Sequence, residues 1–463
     1  MSGLFGSLSI SLSGLAVSQQ EMETSSNNVA NANTTGYSRE VADTAAGAPI
    51  VVDGISTGTG VVLSKIESLR DPILEIQLNQ ATEQQSSLNT QLTQLQQLQT
   101  QFSSSTSGIG ADISNFFNSL EQLSPNPSST ELRESVLSAA GNVATDFNAA
   151  ASSLSTQQSN LNLSVQQSVG EINGLTAQIA GVDQQISTLE NANENASTLV
   201  DQQTTLIRQL SGLIDVQVVQ TGNGGIALST SNGTALVSGN QSFALTTATN
   251  TAAGGNTDIF SGGVDITSTL TGGSLAGTLQ IRDQEIPGVL NQLDQLAAGF
   301  SNAINAANAQ GYDLNGNPGG NIFTTPPAGV TGAAAGIQVA ITDPSLIAAS
   351  SDGTPGSNGN LVNLSAVATA AVAGGQSPIN AYSNLVFQVG NTTANASADV
   401  DASNQILQQL QDQRGSISGV SLDEEAANLV QFQTAYQASA RVITTINAML
   451  ADAVNLGIET AVE

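Results

Sequence analysis

Both ends of this 463-residue chain carry apolar side chains at a seven-residue spacing. Near the N-terminus this spacing connects Leu8, Leu15, Met22 and Val29. Near the C-terminus two rows alternate, one with Leu429, Tyr436, Ile443 and Leu450, the other with Phe432, Ser439, Ile446 and Ala453. The pattern predicts an amphipathic helix at each end, and the C-terminal rows are typical of a coiled-coil seam. Either helix alone would leave an apolar stripe in water, so we expect the two ends of the chain to meet.

Two interior stretches have the same helical periodicity. Asp71-Pro72 combines a good N-cap with a good first helical residue, and it predicts a helix over residues 72–103. A capping box from Ser128 to Glu131 opens a second helical region, whose apolar spacing extends to Leu189. That region contains Gly170, Gly174 and Gly181. Each glycine costs about 1 kcal/mol relative to alanine, so packing against neighbours must sustain the helix.

After about residue 214 the apolar period changes to two, which indicates a β region. The predicted strands are Val216–Val219, Ile226–Leu228, Ala235–Val237 and, beyond a loop at 311–336, Ile337–Ile341. A helix around Leu290–Ile304 interrupts this region, and helical character returns near residue 403. A capping box from Ser421 to Glu424 begins the C-terminal helix. The predicted fold class is therefore mainly α with a β-rich insertion.

The composition excludes several classes of chemistry and of partner. The chain has no Cys, His or Trp, and 8 basic residues stand against 37 acidic ones, for a formal net charge of −29. Without Cys or His there is no disulfide framework, zinc finger or Ser-His-Asp triad. Nucleic acid and anionic lipid surfaces require basic patches, so we expect neither nucleic acid nor membrane as a partner.

Three local patterns could carry chemistry, and each has a simpler explanation. Gly58-Thr59-Gly60 lacks the lysine and the third glycine of a phosphate loop and fits a turn. Asp313, Asn315 and Asn317 resemble the first ligands of a calcium loop, but the glycine is out of place and the twelfth position is threonine. The acidic run Asp423–Glu425 fits the N-terminal turn of a helix. We therefore predict no catalytic, cofactor or metal site.

The N-terminal segment lacks the features of a cleaved secretory signal. The first cation is Arg39, so there is no basic n-region, and there is no compact apolar core before a small-residue cleavage site. Apolar runs stay far below the ~20 residues that span a bilayer. If the protein leaves the cytoplasm, we expect a route that does not depend on a cleaved signal.

Two segments carry a resemblance to a known family. Residues Asn27–Arg39 resemble the N-terminal signature of the bacterial flagellar axial proteins, the rod, hook and hook-associated family. The matching positions are Asn28, Ala30, Asn31, Thr34, Gly36, Tyr37 and Arg39. The tract Gly419–Val442 is similar to the C-terminus of the hook-associated branch of that family. Thr35 departs from the pattern, because the family commonly has proline before Gly-Tyr.

The resemblance implies three domains and a structural role. The terminal helices would form a coiled-coil core domain, residues 1–45 plus 420–463. A long-helix bundle domain would comprise 46–213, 276–312 and 395–419, and an outer β-rich domain would comprise 214–275 and 313–394. The protein would form a ring at the junction between hook and filament, in the extracellular flagellum, after type III export. It would not be an enzyme and would need no cofactor.

The same resemblance implies partners and an interface. Expected partners are other copies of the chain, the hook protein, a second junction protein leading to the filament, and a cytoplasmic export chaperone that binds the C-terminal helix. We expect the terminal helices to be disordered before assembly and to order when neighbouring subunits bury their stripes. The residues assigned to this polymerisation interface are Leu8, Leu15, Met22, Val29, Leu429, Phe432, Tyr436, Ile443, Ile446 and Leu450.

Several alternatives remain open at this level. On periodicity alone, an ordinary intramolecular helical bundle is the usual explanation of such apolar stripes, several times more common than a polymerisation surface. Another axial protein, such as the hook protein or the second junction protein, shares the N-terminal signature. A surface binding module would use the β region, and a cell-wall hydrolase would need two carboxylates facing one cleft.

Overall fold

The computed structural model describes residues 2–52, 55–102, 108–192, 194–221, 225–250 and 254–459. Helices dominate this part of the chain. They are α1 (Ser2–Asn31), α2 (Pro72–Phe102), α3 (Ile109–Leu123), α4 (Thr130–Asn191), α5 (Ser197–Ser211), α6 (Gly273–Gln280), α7 (Ile286–Asn308), α8 (Ala333–Gly336), α9 (Leu361–Ala366), α10 (Pro378–Ser418) and α11 (Leu422–Glu459). The fold is mainly helical, with long helices at both ends and small sheets between them.

The strands form small antiparallel sheets. They are β1 (Glu40–Ala46), β2 (Ile50–Val52), β3 (Ile55–Thr57), β4 (Val61–Ser68), β5 (Gln217–Gln220), β6 (Ile226–Ser229), β7 (Ala235–Ser238), β8 (Gln241–Ser242), β9 (Leu245–Asn250), β10 (Asn256–Ser261) and β11 (Val264–Asp265). The sheet orders are β1-β4, β2-β3, β5-β6-β7-β8 and β11-β10-β9. Strands β1 and β4 pair from Glu40 with Ser68 to Ala46 with Val61, and a bulge interrupts their register after Asp43.

The chain divides into two compact units. The first comprises Met1–Glu83, Glu171–Ala244 and Gln405–Glu463, and the second comprises Gln84–Gly170 and Leu245–Asn404. In the first unit, α1 packs against α11 and against the ribbon of β1 and β4. Its apolar core lies among α2, the end of α4, α5 and the sheet β5-β6-β7-β8. Buried members of that core include Leu78, Ile179, Ile186, Leu210, Val216, Leu228 and Leu236.

The second unit has a large apolar core built from helices. Buried side chains of α3, α7, α9 and the first part of α4 form one cluster, together with parts of α2 and α10. Its centre contains four phenylalanines whose ring centroids lie 5.4 to 6.1 Å apart, mostly edge to face or tilted. They are Phe116, Phe117, Phe300 and Phe323. The sheet of β9, β10 and β11 belongs to the same unit.

The predicted interior helices are present, with one shifted cap. Asp71 caps α2, because its Oδ1 accepts from the amides of Ile73 (2.9 Å) and Leu74 (3.3 Å). The helix extends to Phe102, and residue 103 of the predicted range lies outside the described residues. Helix α4 is continuous over 62 residues and includes the three glycines. Its cap is Ser129 rather than Ser128, since the Leu132 amide donates to Ser129 Oγ at 3.3 Å.

Two predictions of local structure were wrong, and one group of strands was not predicted. The segment Ile337–Ile341 is not a strand, because its pairing with residues 322–324 stops after one bridge, between Phe323 and Val339. Helix α10 begins at Pro378 rather than near 403, so residues 378–394 are helical. Its buried side chains recur every three or four residues from Leu385 to Val400, but Thr393 and Ala396 are among them, and these polar or small groups obscured the apolar period. No strand was predicted within residues 40–57, where β1, β2 and β3 lie, because most of their side chains are exposed.

Candidate functional site

The helices at the two ends of the chain pack along each other in opposite directions. Ser25 of α1 lies against Glu425 at the start of α11. Its hydroxyl donates to the Glu425 carboxylate and lies 3.2 Å from the Glu425 carbonyl oxygen. Towards the beginning of α1, Gly14 lies beside the hydroxyl of Ser439, further along α11. The two ends therefore meet within one chain, as the apolar stripes predicted.

The heptad residues of α11 form the face that contacts α1. Ile446 is buried, and the other assigned positions, Leu429, Phe432, Tyr436, Ile443 and Leu450, are partly buried. The residues between them along the helix are mostly exposed, which is the burial pattern of a coiled-coil seam. The seam is only partly covered in a single chain. The assignment of these residues to contacts between subunits stays a prediction.

On α1 the most deeply buried positions are not the predicted apolar row. Leu8, Leu15 and Met22 are partly buried, and Val29 is 39% exposed. The buried residues in the second half of the helix are Val17, Ser18, Thr24, Ser25 and Asn28. Helix α1 packs against two neighbours, α11 and the ribbon of β1 and β4. Its most buried residues therefore lie on the side of the helix between these two neighbours.

The seven positions from Asn28 to Arg39 that match the N-terminal signature are called the axial motif below. The axial motif begins with a buried asparagine, Asn28, that holds strand β1 against α1. The Asn28 amide nitrogen donates to the Glu40 carbonyl (2.8 Å), and its oxygen accepts from the Glu40 amide (2.9 Å). The same oxygen accepts from the Tyr37 hydroxyl at 2.8 Å. Burial raises the pKa of Tyr37, and the nearby carboxylates of Glu40, Asp201 and Glu425 raise it further. Tyr37 therefore stays a neutral hydrogen-bond donor.

The rest of the motif shapes the turn after α1. Asn31 donates to the backbone oxygen of Asn27 (3.1 Å), and Thr34 donates to Asn31 Oδ1 (3.1 Å). Gly36 has a φ of +88°, and a Cβ at this position would collide with the hydroxyl of Thr205. Helix α1 ends at Asn31, so Gly36 is a turn residue rather than the helix C-cap. Ala30 is exposed on α1.

Arg39 ends the motif and connects it to the start of α11. Its Nε donates to Glu425 Oε1 at 2.7 Å, and its Nη1 donates to Glu424 Oε2 at 2.9 Å. Its backbone amide donates to the Ser418 carbonyl (2.9 Å). The Glu425 side chain is only 2% exposed. The sequence predicts only that the acidic run 423–425 interacts favourably with the N-terminus of a helix. In the structure, Glu424 and Glu425 of this run also pair with Arg39.

Two further clusters of ion pairs surround this turn within the first unit. Arg70 contacts Asp201 at 2.6 Å, and Asp201 also accepts from the Ser38 amide at 3.1 Å. Glu75 accepts from both Arg208 (2.6 Å) and Arg414 (2.7 Å). Sequence reasoning missed these groups. The scarcity of cations was the available signal, because these three arginines and Arg39 make up four of the eight basic residues of the chain.

The candidate chemical sites of the sequence have structural roles. Asp313 Oδ1 accepts from the amides of Asn315 (2.8 Å) and Asn317 (2.9 Å), so its carboxylate closes a turn. Thr59 donates to the Ala48 carbonyl within the β2–β3 ribbon. Within the ranges that the structure describes, no group of three or more acidic side chains is arranged to hold a metal.

Of the helices described, none combines the length and the apolar character needed to cross a bilayer.

Comparison with known proteins shows where this architecture occurs. Residues 95–323 match the family described as "Flagellar hook-associated protein FlgK helical domain". Residues 8–37 match "Flagella basal body rod protein", and residues 400–456 match "Flagellar basal body rod FlgEFG protein C-terminal". The matched ends contain the axial motif as far as Tyr37 and the seam of α11.

Individual relatives cover nearly the whole chain. The chain is 30% identical to flagellar hook-associated protein 1 of Bacillus subtilis (strain 168), over 98% of this chain and 99% of that protein. It is 27% identical to flagellar hook-associated protein 1 of Escherichia coli (strain K12), over 96% and 98%. The fold is similar to the hook junction protein FlgK of Burkholderia pseudomallei, with a TM-score of 0.67 and 21% identity, over 74% of this chain and 100% of that one. The chain belongs to the flagellar hook-associated protein 1 family, a family of structural flagellar proteins.

Proposed function

We propose that this chain is the structural subunit that forms the junction between the hook and the filament of the bacterial flagellum. Family membership over nearly the full length supports the role, and one observation in the structure carries it. The N-terminal motif and the start of α11 are locked together through Arg39 and Glu425, so both ends of the chain form one terminal element. In an axial assembly, this terminal element is the part of each subunit that would pack against neighbouring subunits.

The mechanism is burial between subunits. In one chain the seam of α11 is half covered, and several apolar residues of the pair are exposed. They are Phe5, Leu12 and Val29 on α1, and Val430, Val442 and Met449 on α11. Packing copies side by side would remove this surface from water, and each Å² of apolar area contributes about 25 cal/mol. In the single chain the terminal helices already pack against each other, so assembly would complete their burial, with the ten assigned interface residues contributing to it.

The remaining parts of the chain would have supporting roles. The three-part division into a terminal core, a helical domain and an outer β-rich domain is proposed with the boundaries given above. Partners would be other copies in a ring, the hook protein, a second junction protein, and an export chaperone on the C-terminal helix. The protein would be part of the flagellum, an extracellular appendage. It would be neither an enzyme nor a binder of cofactors.

Deletion of the gene tests this function. Electron microscopy of the deletion strain should show hooks without filaments, and monomeric flagellin should accumulate in the medium. A plasmid copy of the full chain should restore filaments. Normal filaments in the deletion strain would refute the junction role. Absence of the hook itself would instead favour another axial position, such as that of the hook protein.

A further inference from the structure

Arg441 of α11 is isolated from every other charge of the terminal pair. Residues 2–20 of α1 contain no Asp, Glu, Lys, Arg or His, and neither do residues 426–440 and 442–451 of α11. The positions three and four residues away from Arg441 on the helix are Gln437, Ala438, Thr444 and Thr445. A carboxylate at such a position could have paired with it along the helix. The helix pair therefore offers Arg441 no internal partner.

The other seven cations of the chain are all engaged. Six form ion pairs, and the seventh, Arg133, donates to backbone carbonyls, including those of Pro127 and Ile347 at 2.6 Å. The six are Arg39, Lys65, Arg70, Arg208, Arg282 and Arg414. Arg441 is exposed and, over the ranges given for the structure, has no ion pair. Although the chain is strongly acidic, with a net charge of −29, the described residues provide no carboxylate partner for Arg441.

Arg441 lies on the face of α11 opposite the seam. It falls between the seam residues Ser439 and Ile443, and that outward face also exposes apolar side chains. Val430 is 65% exposed, and Met449 is 52% exposed. Arginine beside exposed apolar groups is a composition typical of protein interfaces.

The same face carries two exposed carboxylates at helical spacing from Arg441. Asp423 lies 18 residues before it, which is five turns or about 27 Å. Asp452 lies 11 residues after it, close to three turns or about 16 Å. Both are exposed, and neither forms a salt bridge in the part of the chain that the structure covers. The face is therefore self-complementary for two parallel copies that are displaced along the helix axis.

We propose that Arg441 forms an ion pair with Asp423 or Asp452 of a neighbouring copy, and that this pair sets the stagger between subunits. The inference rests on the proposed assembly of the terminal helices. Copies related by a rotation combined with a shift along the axis, as in a helical arrangement, present α11 in the same direction and supply the displacement that this pairing requires. Copies of net charge −29 repel one another overall, so a local attraction contributes mainly to register and specificity.

Charge reversal with a matched control tests the pair. Full-length Arg441→Glu and Lys65→Glu each change the net charge by the same amount, and Lys65 is exposed on β4. Both are expressed in the deletion strain, and the fraction of hooks that carry filaments is counted by electron microscopy. Arg441→Glu should lower this fraction by about tenfold, because it places like charges together. Lys65→Glu and Arg441→Lys should leave it unchanged.

Compensating variants identify the partner. Either Arg441→Glu with Asp423→Arg or Arg441→Glu with Asp452→Arg should restore filaments to the level of the unaltered chain. The proposal is overturned if Arg441→Glu attaches filaments normally, if Lys65→Glu is equally defective, or if neither double variant recovers. It is also overturned if Arg441→Glu is not exported, since Arg441 would then act on an export partner. Normal filaments in the deletion strain itself would instead refute the junction role.

Discussion

Arg39 and Glu425 form an ion pair at 2.7 Å although 386 residues separate them in the chain. Arg39 lies just after the N-terminal helix, and Glu425 lies in the first turn of the C-terminal helix. The Glu425 carboxylate also accepts from Ser25, so one buried acidic group holds α1, the turn and α11 together. This contact explains why the two ends of the chain act as one terminal element.

Removal of one member of this pair should destabilise the terminal element strongly. Arg39→Ala leaves a buried carboxylate without its cation, and we expect a loss of about 2–4 kcal/mol in the free energy of unfolding. Glu424→Gln should cost less than about 1 kcal/mol, because the Glu424 side chain is 62% exposed. Denaturant unfolding followed by circular dichroism measures both. Equal losses for the two variants would contradict the assigned importance of Glu425.

A charge in the seam should block assembly without unfolding the rest of the protein. Ile443 is a partly buried seam residue, and Ile443→Asp would place a carboxylate against α1. The variant should be soluble, with a folded middle region, but should not support filament attachment in the deletion strain. Ala435→Asp adds the same charge at an exposed position of α11 and serves as the control. Filament attachment by Ile443→Asp at the level of the control would refute the burial mechanism.

The turn of the axial motif should not accept a side chain at Gly36. The positive φ and the nearby Thr205 hydroxyl together predict that Gly36→Ala lowers the free energy of unfolding by about 1–3 kcal/mol. Gly58→Ala is the matched control, since a Cβ there meets nothing within 4 Å. Thermal unfolding of the two variants gives the comparison. An unchanged midpoint for Gly36→Ala would mean that the turn relaxes freely.

Glu83 predicts a pH dependence of stability. Burial raises its pKa from 4.5 to about 7, and nearby Asp215 adds to the rise, although the Val216 amide donates to its carboxylate at 2.8 Å. Between pH 4.5 and about 7 the folded state therefore binds more protons than the unfolded state. Over this window the contribution of Glu83 to the free energy of unfolding falls as the pH rises. Above about pH 7 this contribution is constant.

The variant Glu83→Gln tests this sign. Glutamine still accepts from the Val216 amide but carries no charge, so the variant should be more stable than the unaltered chain at pH 8. Its advantage should disappear as the pH falls towards 4.5. Urea unfolding at a series of pH values measures the difference. If the free energies of unfolding of the two proteins instead change in parallel with pH, Glu83 ionises in the folded chain without a loss of stability, which would contradict the prediction.

The parts of the fold that are periodic or locally capped could be predicted from the sequence. The seven-residue spacing located α1, α2 and α11, and Asp71 marked the beginning of α2 correctly. Local signals of this kind depend on residues within one or two turns of each other. The prediction of a strand at Ile337–Ile341 failed because a strand needs several successive pairs with its neighbour, and this segment forms one bridge, between Phe323 and Val339.

The partners in the candidate site could not be predicted, because they meet only in the folded chain. The motif around Tyr37 and Arg39 was recognised, but its contacts with Asp201 and Glu425 join residues more than 150 positions apart. The buried line of α1 was also displaced from the predicted row. Periodicity identifies an apolar face, but it does not specify how many neighbours share that face.

Labelling at a single site tests the location of the protein most directly. The chain has no cysteine, so Asn232→Cys, at an exposed turn between β6 and β7, supplies one reactive thiol. Flagella isolated from a strain carrying this variant are treated with maleimide-linked gold and imaged by electron microscopy. We predict one narrow band of gold where the hook meets the filament. Gold distributed along the filament or along the hook would contradict the junction role.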